Sequence, residues 1–188
     1  MSRLLRLAPV LVLALIAISA LSAPSVRPAA AEGEQTQGRI LPDHVVVRQI
    51  RHFQQETWRW QKLMGVRRTP TTRAAVKDPS RAFRLWVRNV WHRRAVRAWK
   101  QASRPPHRTG WLCIQRREGA WTDPNPPYYG GLQMDISFQR AYGHDLLRRK
   151  GTADNWTPLE QMWVAERAHR AGRGFYPWPN TARYCGLI

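Results

Sequence analysis

WLCIQRREGAWTDPNPPYYGGLQMDISFQRAYG, residues 111–143, is the stretch on which the reading of this chain turns. Trp111, Ile114 and Gln115 share one face of a short helix, and Gly119 is a helix stop. That helix therefore ends on a carboxylate, Glu118. Asp123-Pro124-Asn125-Pro126-Pro127 contains three prolines, which lack N–H donors, so it is neither helix nor central strand. Tyr128-Tyr129-Gly130-Gly131 permits a tight or strained backbone. Helical character resumes from Leu132 to about Gly143. The arrangement sets one carboxylate at a helix end, with Trp111 and Trp121 nearby and an aromatic-Gly-Gly turn facing it. Trp and Tyr rings suit sugar rings, being flat, apolar and rimmed by hydrogen-bonding groups. A carboxyl beside apolar rings has its charged form disfavoured, the condition a general acid needs. Taken alone, Glu118 reads as a surface carboxylate at a helix end. Asp123 and Asp145 read as turn and helix residues. His144 and His169 are isolated and make no metal set.

Upstream, the composition changes. The chain has 188 residues and a formal net charge of +19, with 31 Lys+Arg against 12 Asp+Glu. Residues 44–110 hold 17 basic and 2 acidic residues; residues 111–188 hold 10 and 7. Ten Trp residues in the chain argue for a packed core rather than a disordered polycation. From His44 to Met64, Val46, Ile50, Phe53, Trp60 and Met64 recur at helical spacing, and Gly65 ends the run. Residues 67–72 read as a loop. A second helix runs from Ser80, a good N-cap, to about Gln101. Phe83, Val87, Val90, Trp91, Ala95 and Ala98 form its apolar stripe, with most arginines elsewhere. Arg104-Pro105-Pro106 then breaks the chain. Residues 44–106 thus predict a basic, Trp-rich helical hairpin. It packs its Trp stripe on the following domain, or it holds the protein on an anionic surface through its outward arginines.

The first 31 residues have the three parts of a secretory signal. Arg3 and Arg6 are the positive start, residues 11–21 an uncharged apolar run, and Ala29-Ala30-Ala31 a small-residue cleavage site. The apolar run is shorter than the ~20 residues that span a bilayer. Export from the cytoplasm follows as the expectation. It lets a disulfide persist, removes nucleic acid from the possible polyanions, and leaves no stable membrane span after cleavage. Residues 32–43 read as a linker. Two Cys in the chain allow one bridge.

Glu118-Gly-Ala-Trp121, followed by Tyr128-Tyr129-Gly130-Gly131-Leu132-Gln133-Met134-Asp135, resembles the catalytic domain of resuscitation-promoting factors. These are secreted enzymes of the lysozyme-like superfamily that cut peptidoglycan glycan strands. Their pattern is Cys-Glu-Ser-Gly-Gly-Asn-Trp, a short loop, Tyr-Tyr-Gly-Gly-[Leu/Val]-Gln-Phe, a helix with Ala-Glu-Arg, and a late Trp-Pro-x-Cys. Here Trp163-Val164-Ala165-Glu166-Arg167-Ala168 resembles that helix, and Trp178-Pro179 with Cys185 resembles that ending. The likeness covers roughly 111–185. It departs at Arg117, where the family has Cys. Cys113 stands one helical turn earlier on the same face. Gly119-Ala120 is shorter than the family's Ser-Gly-Gly-Asn, and residues 172–177 lengthen the ending.

The resemblance implies a mainly α protein in which a small lysozyme-like catalytic domain at 107–188 is preceded by the basic hairpin. It implies Glu118 as catalytic acid and base, and Trp121, Tyr128, Tyr129, Gln133, Asp135 and Trp178 as substrate-binding residues. Of the tyrosines, one faces the cleft and one the core, and Trp178 lines the cleft or caps the core. It implies a Cys113–Cys185 bridge, no metal and no cofactor. The expected function is cleavage between N-acetylmuramic acid and N-acetylglucosamine by a lytic transglycosylase or muramidase at the cell wall. Peptidoglycan glycan strands are then the substrate, and anionic wall polymers a further partner of the basic helices. The alternative is a non-catalytic wall-binding protein that grips glycan in the same cleft. A third reading is a basic envelope-disrupting protein that acts by charge.

Overall fold

The structure, a computed structural model, describes residues 41–71 and 80–188. The expected signal segment 1–31 and most of the expected linker lie outside the described residues. Two long helices come first, α1 at Asp43–Met64 and α2 at Arg81–Ala102. Both ends follow from local chemistry. Gly65 takes the left-handed conformation that closes α1, and the Ser80 side chain accepts from the Phe83 N–H to open α2.

The two helices run parallel, which corrects the expected hairpin. Their starts are joined, because Asp43 accepts from both Arg81 (2.6 Å) and Arg84 (2.5 Å). Arg88 reaches Gln49, Phe53 meets His92, Trp58 meets Trp91, and Met64 lies beside Ala102 at the far end. Partners advance together along both helices. The physical reason is the connection. Residues 65–80 are far more than the few residues that turn an antiparallel pair, so the chain can travel back along α1. Its first part does so: Trp58 donates to the Thr69 carbonyl (2.9 Å), and Gln61 bonds the Thr69 N–H and hydroxyl. Arg68 lies over the Trp58 ring. Val46, Ile50, Val87 and Trp91 form the apolar core of the pair.

The rest of the chain packs around one buried helix. In order come α3 (Arg108–Glu118), two short strands β1 (Tyr128–Tyr129) and β2 (Met134–Asp135), and α4 (Ile136–Lys150). A 3₁₀ turn at Ala153–Asn155, α5 (Pro158–Ala168), a π turn at His169–Arg173 and α6 (Pro179–Tyr184) follow. Thr157 and Glu160 form a reciprocal cap at the start of α5, with a proline at its first turn. Seven of its eleven residues are buried, so it is the axis of the domain. Trp111, Ile114, Leu132, Trp156, Val164 and Trp178 belong to the main core around it. The expected helix from Leu132 begins instead at Ile136. Residues 134–135 pair antiparallel with 128–129, Tyr128 opposite Asp135 and Tyr129 opposite Met134.

The α1–α2 pair is fixed to this core at one seam. Trp163 is buried between Met64 and Ala102, and its indole N–H donates to the Ala102 carbonyl (2.7 Å). Arg167 donates to the carbonyls of Leu63 and Tyr142 (2.9 and 2.6 Å). Among the described residues, no helix is long and apolar enough to cross a membrane. The protein is mainly α.

Candidate functional site

Glu118 is the last residue of α3, half-buried. Gly119 leaves the helix in extended conformation, and the Gln115 side chain turns back to donate to the Gly119 carbonyl (2.8 Å). Two elements then meet the helix end, one distant in sequence and one that follows it directly. From one side comes α6, whose Thr181 hydroxyl donates to a Glu118 carboxylate oxygen. The Cys113–Cys185 disulfide, with Cα atoms 6.1 Å apart, ties the same two helices together. Arg117 stacks on the Tyr184 ring, so α6 grips three positions along α3.

From the other side comes the loop 119–133. Its paired glycines, Gly130 and Gly131, are required for different reasons. Gly130 has φ +72°, a conformation costly for other residues. Gly131 is a matter of space. A β-carbon there would stand 2.8 Å from the Trp121 ring and 2.8 Å from the Gln115 side chain. Trp121 is half-buried, and its carbonyl accepts from the Gln161 amide of α5 (2.7 Å). Gln133 has φ +46°. Its amide donates to the Gly130 carbonyl and to Asp123 (both 2.9 Å), which holds the turn closed. The Asp123–Gln133 pair lies against Gly119. A β-carbon on that glycine would be 3.2 Å from the Asp123 carboxylate and 3.1 Å from the Gln133 amide.

The expected site residues divide by place. Glu118, Trp121 and Gln133 are gathered around one turn, with Gln133 as its hydrogen-bond anchor. Tyr128 is 51% exposed on the outer edge of the β1–β2 pair, and Tyr129 packs against the main core. Asp135 caps α4. Its carboxylate accepts from the Phe138 N–H (2.7 Å) and the Ser137 hydroxyl (2.6 Å). The Ser137 hydroxyl first and the Phe138 N–H next hold the Asp135 carboxyl below its ordinary value. Trp178 is 5% exposed and belongs to the core beneath the turn, not to an open cleft wall. Its indole N–H donates to the Leu132 carbonyl (2.6 Å), and its ring meets Trp111 and Phe138 edge-on. It supports the Gly-Gly turn from below. Trp111 also turns away into the core, where it donates to Glu166 (2.9 Å).

Three contacts were not legible in the sequence, two at the Glu118 turn and one away from it. Asp123, a turn residue by its sequence, is the carboxylate held beside Gly119. Thr181 had no signal of its own. Once Cys113 and Cys185 are joined, however, Thr181 lies one turn before Cys185 and Glu118 just over one turn after Cys113, so contact between them follows. His169, expected to be isolated, stacks on His107 with ring centroids 4.1 Å apart. His107 in turn contacts the fully buried Glu166 through its N–H (2.8 Å) and ring nitrogen (3.1 Å). Burial first and the neighbouring His107 second hold His169 below its ordinary value.

A cavity of about 700 Å³ opens elsewhere, between α1, α4 and α5, lined by Trp60, Leu63, Asp145, Arg149 and Glu160 among others. None of the site residues above contributes to it. The chemistry of the Glu118 turn, not the size of a cavity, marks it as the candidate site. Among the described residues, no group of three or more His, Cys, Asp or Glu is placed to hold a metal ion. Comparison with family models, with curated proteins and with solved structures returned no match.

Proposed function

We propose that this chain is an exported, resuscitation-promoting-factor-like enzyme. It cleaves peptidoglycan glycan strands between N-acetylmuramic acid and N-acetylglucosamine, with Glu118 as the acid and then the base. The observation that supports this is the setting of Glu118. It is a half-buried carboxylate at a helix end, held by the Thr181 hydroxyl, beside a braced turn that carries Trp121 and leads to the exposed ring of Tyr128.

Protonated Glu118 gives its proton to the glycosidic oxygen, and the N-acetylglucosamine leaves with a free 4-hydroxyl. The carboxylate so formed takes a proton in the second step. If it comes from the muramic acid 6-hydroxyl, that oxygen closes on the anomeric carbon as a 1,6-anhydro sugar. If it comes from water, the product is a reducing end. Two-carboxylate glycosidases need a second acid at a set distance. Asp135 is committed to capping α4, and Asp123 beside Gly119 is committed to the Gln133 and Asn125 amides, which favours the single-carboxylate, transglycosylase route. Tyr128 offers a stacking face for a sugar ring.

The test is incubation of the protein with purified cell walls, followed by mass analysis of released fragments. Anhydro-ended fragments, lighter by one water than hydrolysed ones, are the expected product. Reducing-end fragments identify a muramidase. Binding without release identifies a non-catalytic wall-binding protein.

A further inference from the structure

The exposed side of α2 is not explained by glycan cleavage. The helix carries seven cations and no acid. Its buried side, Val87, Trp91, Ala95 and Ala98, packs inward as the apolar stripe requires. Two tryptophans do not: Trp86 is 58% exposed and Trp99 50% exposed, with Val96 at 37% between them. This departs from the expectation that the Trp residues of this region are buried. At 3.6 residues per turn, Trp86, Arg93, Arg97 and Lys100 fall in one stripe about 20 Å long, with Val96 beside it and Trp99 on the far flank. Other cations of α2 are engaged, Arg81 and Arg84 by Asp43 and Arg94 over the Trp91 ring. Arg93, Arg97 and Lys100 are exposed and make no ion pair among the described residues. Phe83 stacks against Trp86 and supports its ring.

We propose that this outer face of α2 docks the protein on the surface of an anionic lipid bilayer, with Trp86 and Trp99 at headgroup depth and Arg93, Arg97 and Lys100 on lipid phosphates. Each component selects that partner. Unpaired cations with no acid among them are attracted to a negative leaflet. Indole rings, apolar but carrying an N–H, settle at the boundary between headgroups and acyl chains. A hydrophilic polyanion satisfies the cations and gives the rings nothing. A second copy of the chain on this face brings like charges together. The docking is peripheral and independent of Glu118 chemistry.

The test is co-sedimentation of the full chain with phosphatidylcholine vesicles and with vesicles one-third phosphatidylglycerol. Wild type is compared with Trp86→Ala/Trp99→Ala and with Arg93→Gln/Arg97→Gln/Lys100→Gln. All the changed residues are exposed, and unchanged thermal melts confirm that the variants fold. At roughly 1 kcal/mol per surface cation, the triple variant should bind anionic vesicles about a hundredfold more weakly. The double Trp variant should lose about tenfold or more on anionic vesicles and should also weaken the residual binding to neutral vesicles, which the cation variant should leave unchanged. Any contribution of the apolar segment 11–21 is common to all three proteins. If both variants bind anionic vesicles as wild type does, the proposal is wrong. If only the cation variant loses binding, and soluble polyphosphate displaces the wild type completely, the face is a plain polyanion site and the lipid assignment is overturned.

Discussion

Replacing Cys113 and Cys185 together with alanine tests whether α3 and α6 are held by covalent closure or by packing. The bridge closes 72 residues of separation. The chain-entropy relation gives about 15 cal/mol/K for a loop of that size, or about 4 kcal/mol at 25 °C. For a folded chain of this length, each kcal/mol moves the midpoint by about 2–4 °C, so melting should fall by about 10 °C. Trp178, Ala182 and Leu187 still pack against the main core, so the variant should fold at low temperature. Its site should nonetheless be looser, because Thr181 meets Glu118 one turn away from each sulfur. The assay is a circular-dichroism melt of wild type, the double variant and reduced wild type. Wall digestion is measured below the lower midpoint. The account predicts that reduced and mutated proteins melt alike, well below wild type, and digest walls more slowly at equal folded fraction. A midpoint within about 2 °C of wild type would refute the reasoning, since packing alone would then hold the two helices.

Gly131→Ala places a methyl carbon against the Trp121 ring and Gln115. Overpacking of this kind costs about 1–3 kcal/mol, readable as a lower urea midpoint. Thr181→Val keeps shape and removes the hydroxyl that reaches Glu118. It should slow wall digestion by loosening Glu118, and should lower the melting midpoint by about 3–10 °C, since a hydrogen bond to a charged group is worth about 1.5–3 kcal/mol of stability. Two groups contribute to the acid limb of stability beside Asp145 and Glu160, whose carboxyls are also held below their ordinary values. Asp135 is held below its ordinary value of 3.8, so its cap contributes above that pH and is lost as pH falls through the folded-state value. His169 is held below 6.5. The unfolded chain therefore takes up its proton first, and stability declines as pH drops below about 6.5. Urea midpoints from pH 7 to pH 3 should fall in both windows. His169→Leu should flatten the upper one and Asp135→Ala the lower; unchanged slopes in the variants would contradict the assignments.

The ends of α1 and α2 were legible because Gly65 and Ser80 are local signals. The direction of their pairing was not, since an apolar stripe fits a parallel or an antiparallel neighbour equally well. The long 65–80 connection held the clue. The helix expected from Leu132 failed for a local reason. Gln133 takes a left-handed conformation, held through its own side chain by Gly130 and Asp123, and Asp135 is the true cap. Trp178 and Trp111 were read as aromatic neighbours of the site, but depth is set by tertiary packing that spacing does not reveal. The His107–His169 stack joins residues 62 positions apart on different elements, beyond the reach of any sequence pattern. The helix end at Glu118 and the Gly-Gly turn were legible because helix stop, proline loop and glycine pair are all local features.

The most direct measurement is glycan release by Glu118→Gln beside wall binding by the same protein. The amide keeps the side chain's shape and can still accept from Thr181, but it carries no proton to give. General acid–base catalysis of this kind is worth about 10²–10⁴ in rate. The account predicts that release of fragments from purified walls falls by at least two orders of magnitude while retention on walls and the thermal midpoint stay close to wild type. Fragment release within a few-fold of wild type would contradict it and remove Glu118 from the chemistry.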